Sequence, residues 1–171
     1  MNKAIAVMLA MLCIVPAAFA QDGKPQIAVY MTGGNAPAEV KVLSTRMLSE
    51  LSKRGLFRTV ERGDAFQDIM EKEIKKQTDG SVDRGNQMIC EAGKQFKVDY
   101  VCAGDITSAF GMTQISTRIL DVETMEVIAV GDVEIDKPNV RYFKGTDITQ
   151  YLNATIDQMT PGILKMLERK R

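Results

Sequence analysis

The fold is decided by the stretch VDYVCAGDI, residues 98–106. Every position in it is apolar or small except Asp99 and Asp105. A strand without alternation of polar and apolar residues is typical of the interior of a sheet that is covered on both faces. We therefore predict that residues 98–106 form a central strand with helices on both sides of it.

A hairpin is predicted directly after this strand. Apolar and polar side chains alternate from Met112 to Asp121, a turn follows at residues 122–124, and Val127–Ile135 is the returning antiparallel strand. Such alternation indicates that one face of the hairpin packs on the core and the other lies in water. The polar side chains of the exposed face are Gln114, Ser116 and Arg118.

The segments before residue 98 alternate between strand-like and helix-like patterns. Ile27–Met31 predicts a buried first strand, a helix follows with Pro37 in its first turn, and residues 57–60 predict a short second strand. Asp64 and Asp83 are predicted to cap two further helices.

A last helical pattern covers residues 147–171. Pro161 and Gly162 are expected to kink or restart that helix, because proline removes a backbone hydrogen bond. The predicted order is therefore β-α-β-α-α-β-β-β-α in a single α/β domain, with a mixed sheet in two or three layers.

A dispersed set of residues accompanies this order over about residues 26–135. The set consists of Val60-Glu61-Arg62, Phe66, Ile69, Met70, Glu73, Gly80, Val82, Ala92-Gly93, Val98-Asp99-Tyr100-Val101, Gly104, Arg118, Asp121-Val122-Glu123-Thr124 and Val127. Order and residues together resemble the CsgG-like and LpoB-like envelope proteins of bacteria, with the N-terminal domain of TolB as a more distant relative. The resemblance implies a small accessory domain in envelope assembly or regulation.

Two features depart from that family. Met125 stands where the hairpin usually turns on a glycine, which leaves the turn type open. The secretion pore of the family carries extra membrane-spanning β segments and a lipid-bearing cysteine, and neither is visible in this sequence. Pore formation is therefore not expected.

Residues 1–20 have the three parts of an export signal. Lys3 supplies a positive charge, residues 4–15 are apolar, and Ala18-Phe19-Ala20 precedes the expected cleavage point. Lipidation at Cys13 is not expected, because bulky side chains stand before it. We predict a signal peptide at 1–20, a domain at 21–171, and a periplasmic or otherwise exported location.

Composition narrows the function. The chain has no histidine, which excludes Ser-His-Asp triads and His-bearing zinc sites. Without Lys3 the domain has 21 basic and 22 acidic residues, a balance that argues against nucleic-acid binding. Residues 79–83 begin like a calcium loop, but its twelfth position is Cys90 rather than an acid. No metal, no cofactor and no transmembrane segment after cleavage are expected.

Cys90 and Cys102 are the two thiols left after cleavage. An oxidising envelope permits a disulfide between them, since a helix packed on the next strand could place them level. Buried free thiols are the alternative.

The partner surface is predicted on two segments. One is the exposed face with Gln114, Ser116 and Arg118; the other is the loop 138–145, which holds Arg141, Tyr142 and Phe143. Arginine and aromatic side chains are frequent interface anchors. One of the two aromatics could instead pack under the last helix.

Three functions remain open. The first is an exported, non-catalytic binding or accessory module that contacts an envelope protein of unknown identity. The second is a soluble subunit of an outer-membrane secretion or surface-structure assembly, acting as a homo-oligomer. The third is a hydrolase built on carboxylates, which requires a deep pocket lined by acids.

Overall fold

The computed structural model describes residues 23–33, 37–60, 65–66, 68–70, 82–136 and 145–170. The expected export signal and the candidates Arg141, Tyr142 and Phe143 lie outside this range. The elements are β1 Gln26–Gly33, α1 Pro37–Lys53, β2 Arg58–Thr59, α2 with its helical residues 65–66 and 68–70, α3 Val82–Phe96, β3 Tyr100–Ala109, β4 Met112–Asp121, β5 Val127–Ile135 and α4 Gly145–Arg169. The predicted order is confirmed.

Some predicted boundaries move. The central strand begins at Tyr100 rather than Val98, because Val98 closes the end of α3: its N–H donates to the carbonyl of Gly93, and the N–H of Lys97 donates to Lys94. At the other end of the chain, α4 continues through Pro161 as one helix and does not restart there.

The sheet has the strand order β2-β1-β3-β4-β5. β1 is parallel to β2 and β3, whereas β3, β4 and β5 pair antiparallel. The mixed sheet is confirmed, and β3 lies at its centre, as the apolar stretch 98–106 predicts.

Helices lie on both faces of the sheet, which makes the domain three-layered. On one face α1 and α4 pack against residues of β1, β3, β4 and β5. On the other face α2 and α3 pack against β1, the first half of β3 and Leu120 of β4. Three rings connect this second layer to the sheet: Phe66 of α2 lies with its ring centroid 6.2 Å from Tyr30 and 5.1 Å from Phe96.

The expectation that helices cover both faces of the central strand is wrong for the second half of β3. Residues 100–104 are buried, as expected for a strand covered on both faces, but Asp105 and Thr107 are exposed. The second helical layer does not reach them, because its contacts with β3 end at Ala103. One face of the sheet is therefore covered throughout and the other only in part.

Of the two alternatives left open for the thiols, the structure has the free thiols, since Cys90 and Cys102 are unbridged and buried. The physical reason is that the sheet separates them: Cys90 belongs to the core under α3 and Cys102 to the core under α1 and α4. Burial raises the pKa of both thiols, that of Cys102 to about 12, so both are protonated at neutral pH.

The β4–β5 turn contains Met125 at the position where the family usually has glycine. Met125 has a φ of 63°, the left-handed conformation for which glycine is preferred. Asp121 stabilises the turn, because its Oδ1 accepts the N–H groups of Glu123 and Thr124 at 2.9 and 3.0 Å.

α4 approaches β5 closely at two glycines. A Cβ on Gly131 would collide with the carbonyl oxygen of Thr155, and one on Gly162 would lie 2.8 Å from the carbonyl oxygen of Ile128. Neither obstacle is a flexible side chain end, so added volume cannot move aside. The absence of side chains at these positions lets the last helix lie directly on the edge strand.

We predict that Gly131→Ala lowers the free energy of unfolding by about 1–3 kcal/mol, the usual cost of overpacking a core. Gly85→Ala is the matched control, because a Cβ there meets nothing within 4 Å inside α3. It should raise stability by about 0.5–1 kcal/mol through helix propensity. Urea denaturation of both variants measures the two effects, and a neutral result at Gly131 would contradict the close packing.

Candidate functional site

The partly covered side of the sheet presents a row of polar side chains to solvent. We call this surface the open face. It consists of Asp105, Thr107, Gln114, Ser116, Val130, Asp132 and Glu134, all of them exposed except half-buried Ser116. The strand register places six of them in two adjacent rows, Asp105–Ser116–Asp132 and Thr107–Gln114–Glu134, and puts Val130 opposite Arg118 in the next row.

Hydroxyl and amide groups hold two of the carboxylates in place. Asp132 accepts hydrogen bonds from Gln114 Nε2 at 3.0 and 3.1 Å and from the hydroxyl of Ser116. Asp105 accepts from the hydroxyls of Thr32 at 2.9 Å and Thr107 at 2.8 Å. These donors are neutral, and no ion pair between described residues includes either carboxylate.

Arg118 is the cation nearest to this surface along β4, and α3 holds it at the border. Its Nε donates to Asn86 Oδ1 of α3 at 2.9 Å, and its side chain is half-buried. None of the ion pairs among the described residues joins Arg118 to Asp105, Asp132 or Glu134. The open face is therefore acidic.

The alternation in β4 correctly placed Gln114, Ser116 and Arg118 on one side of the sheet. Gln114 is exposed, whereas the other two are half-buried. The sequence analysis did not bring Asp105 and Asp132 together with them, because register between strands is not visible in a single segment.

The tip of the β3–β4 hairpin carries an aromatic side chain that the sequence analysis missed. Phe110 and Gly111 connect Ala109 to Met112 and have φ angles of 53° and 82°. Positive φ at both residues is the pattern of a type I′ turn, in which asparagine and glycine are preferred. Phe110 is 98% exposed. The available signal was a two-residue X-Gly connection between two strands.

The edge of the sheet beside the open face is partly closed. Asp132 of the edge strand β5 donates its backbone N–H to Gln158 Oε1 of α4 at 2.7 Å. Side-chain cover of this kind hinders pairing with another strand. Val130, two residues earlier, is 61% exposed on the open face.

A second polar cluster lies at the opposite end of the sheet. Lys170 Nζ forms an ion pair with Asp121 Oδ2 at 2.9 Å and lies 5.0 Å from the ring centroid of Tyr100. The hydroxyl of Tyr100 donates to the sulfur of Met166 at 2.9 Å. The cluster therefore ties the end of α4 to β3 and to the β4–β5 turn.

Asp121 and Lys170 each stabilise the charged form of the other. Burial opposes ionisation of Asp121, but hydrogen bonds from Lys170 and from the backbone of Thr124 and Glu123 outweigh it and lower the pKa. The pKa of Lys170 is raised by its interactions with Tyr100 and Asp121 against the effect of burial. Burial raises the pKa of Tyr100, so this hydroxyl stays protonated. Asp121 is thus an ionised structural group at neutral pH.

The described residues contain neither a metal-binding cluster nor a membrane-spanning helix. No three histidine, cysteine, aspartate or glutamate side chains in the described ranges lie close enough together to hold a metal ion. None of the described helices combines the length and the apolar character needed to cross a membrane.

We predict that Lys170→Met lowers the free energy of unfolding at pH 7 by about 1–3 kcal/mol, because Asp121, 3% exposed, loses its cation. A lowered aspartate pKa adds stability that is complete above the ordinary value of 3.8 and is lost as pH falls through the lowered pKa. The raised lysine pKa keeps Lys170 charged throughout this range. The deficit of the variant should therefore narrow only below about pH 4.

Lys165→Met is the control for this prediction, since Lys165 is exposed on the same helix. It should change stability by less than about 0.5 kcal/mol at every pH. Urea denaturation from pH 3 to 8 gives both curves. A deficit for Lys170→Met that stays constant down to pH 3 would contradict the assignment to Asp121.

No protein-family model matches the chain, and no curated protein sequence matches it. Solved structures do match. TolB from Acinetobacter baumannii shares the fold with a TM-score of 0.50 and 15% sequence identity, over 83% of this chain and 29% of TolB. The chain thus spans less than a third of TolB's length.

Two shorter proteins match at lower TM-scores. Lipoprotein GNA1162 from Neisseria meningitidis gives 0.49 at 11% identity, over 80% of this chain and 96% of that one. The LpoB C-terminal domain from Salmonella enterica gives 0.47 at 13% identity, over 68% and 87%. The predicted resemblance is confirmed by the TolB match as a likeness of fold.

Proposed function

We propose that this chain is an exported, non-catalytic accessory module of the bacterial cell envelope that binds another protein through its open face. The open face carries the proposal, because it is the part of the sheet that neither helical layer covers. Residues 1–20 supply the expected export, and the fold shared with TolB agrees with the predicted envelope family.

The charges of the open face suit a partner with basic side chains. Asp105 and Asp132 flank Ser116 from the two neighbouring strands, so their backbones lie about 10 Å apart. Exposed charges at this separation are largely screened from one another at physiological salt. Each carboxylate is therefore a separate negative charge that a basic side chain of a partner can contact.

The form of this surface argues against catalysis. The carboxylates of the open face stand on exposed strands, where water is not excluded and charged groups gain little from one another. The chain also lacks histidine, the commonest general acid and base. A carboxylate hydrolase would need the deep, acid-lined pocket that such a surface does not provide.

The oligomerising subunit is the second candidate, and exposed apolar side chains favour it. The hairpin and the last helix present Met112, Val127, Val130 and Leu164 with exposed fractions of 44–61%. Light scattering of the purified domain at increasing concentration separates the two candidates. A stable closed oligomer would favour the second, and a monomer the first.

We predict that Glu134→Lys abolishes partner binding by the full-length protein recovered from the envelope fraction. Glu134 lies exposed in the row with Thr107 and Gln114, so the change reverses one charge of the open face. Glu168→Lys makes the same change in charge at an exposed position of α4, and this variant should bind normally. Both variants should melt as the wild type does, since exposed substitutions cost less than about 0.5 kcal/mol.

The binding measurement needs two readouts. Capture followed by mass spectrometry identifies the partner, and titration of the purified partner gives the dissociation constant for each variant. Equal binding by Glu134→Lys and Glu168→Lys would remove the open face from the proposal. Retention of the protein in the cytoplasm would contradict the export that the proposal requires.

A further inference from the structure

We infer that Phe110 is the anchor of the docking surface, and that the partner is a folded protein with an apolar pocket bordered by lysine or arginine side chains. The inference rests on the proposed function and specifies the chemistry of its partner. It follows from the backbone, the exposure and the charge of the hairpin tip.

Neither the fold nor the turn accounts for a phenylalanine at this position. Phe110 is 98% exposed, so it contributes nothing to either core. Its φ of 53° is a conformation that costs free energy in a residue with a Cβ, and that asparagine or glycine adopts more easily. A strained, exposed aromatic is favoured where a bound partner removes it from water.

The surroundings of Phe110 indicate that the partner receives it in an apolar pocket. No charged residue occurs in the sequence between Asp105 and Arg118. Met112, beside Phe110 in the hairpin, is 45% exposed. The tip also extends past β1, whose pairing with β3 ends at Ile106, so it can enter a concave surface.

The open face behind the tip determines which charges border that pocket. The row with Glu134 lies three to four residues from Phe110 along the hairpin, about 10–13 Å, and the row with Asp105 and Asp132 follows it. A partner that receives Phe110 therefore faces carboxylates. Basic side chains complement them, whereas the anionic headgroups of a membrane would be repelled.

Site-specific photocrosslinking in cells tests the inference on the full-length protein. A benzophenone amino acid replaces Phe110 in one strain and Val130, on the open face, in another. The inference is supported if both positions crosslink to the same protein. The segment of that protein crosslinked from position 110 should line an apolar pocket beside lysine or arginine side chains. Crosslinks to lipid or to a second copy of this chain from position 110 would overturn it.

Two substitutions separate a binding role from a structural one. Phe110→Asn suits the turn, so the variant should fold at least as well as the wild type, yet it should bind the crosslinked protein about tenfold more weakly or worse. Phe110→Leu keeps an apolar side chain and should retain most of the affinity. Unchanged binding by Phe110→Asn would overturn the inference.

The outcomes also distinguish this inference from the proposed function. Crosslinks from position 130 alone would leave the open face as a docking surface and remove Phe110 from it. No crosslink from either position would reject both. Vesicles of phosphatidylethanolamine and phosphatidylglycerol provide the lipid test: the purified protein should not sediment with them, and sedimentation that depends on Phe110 would overturn the choice of a protein partner.

Discussion

The packing of β3 between two helical layers is the constraint on which the rest of the structure depends. Its side chains alternate between the two cores, with Tyr100 and Cys102 on one side and Val101 and Ala103 on the other. Gly104 lies against the side chain of Met31, and a Cβ on Gly104 would collide with the Met31 sulfur atom. A shift by one residue would exchange the two sets and place the glycine elsewhere, so the register is fixed.

That register also decides what stays uncovered. α2 and α3 reach β1 and β3 as far as Ala103, and their apolar contact in β4 is Leu120, next to the irregularity between Ile119 and Leu120. α3 also holds Arg118 of β4 through Asn86. Before Arg118, β4 presents Gln114 to water on this side of the sheet, as β5 presents Val130, Asp132 and Glu134. The open face is a consequence of how far the second helical layer extends, and its acidic residues are the reason for proposing a partner with basic side chains.

Much of this could be predicted from the sequence, because alternation with a period of two is a direct record of sheet faces. Met112–Asp121 and Val127–Ile135 are strands with the predicted limits for that reason. Exposure of Asp105 could not be predicted, since the apolar stretch reports the strand and not the reach of the helices above it. Whether the two thiols can meet depends on which face of the sheet α3 covers, and that is a property of the tertiary structure. Phe110 was missed because its identity contradicts the turn that it occupies.

The likeness to TolB is one of fold, and the choice of the open face and Phe110 as the docking surface depends on residues of this chain. Hydroxyl-radical footprinting tests most directly whether a partner covers the hairpin tip in the cell. Phe110 and Met112 should oxidise readily in the purified protein and be protected in intact cells. Met125, in the β4–β5 turn at the other end of β4, is 38% exposed and should oxidise equally in both. Equal oxidation of Phe110 and Met112 in the two states would contradict a docking surface at this end of the sheet.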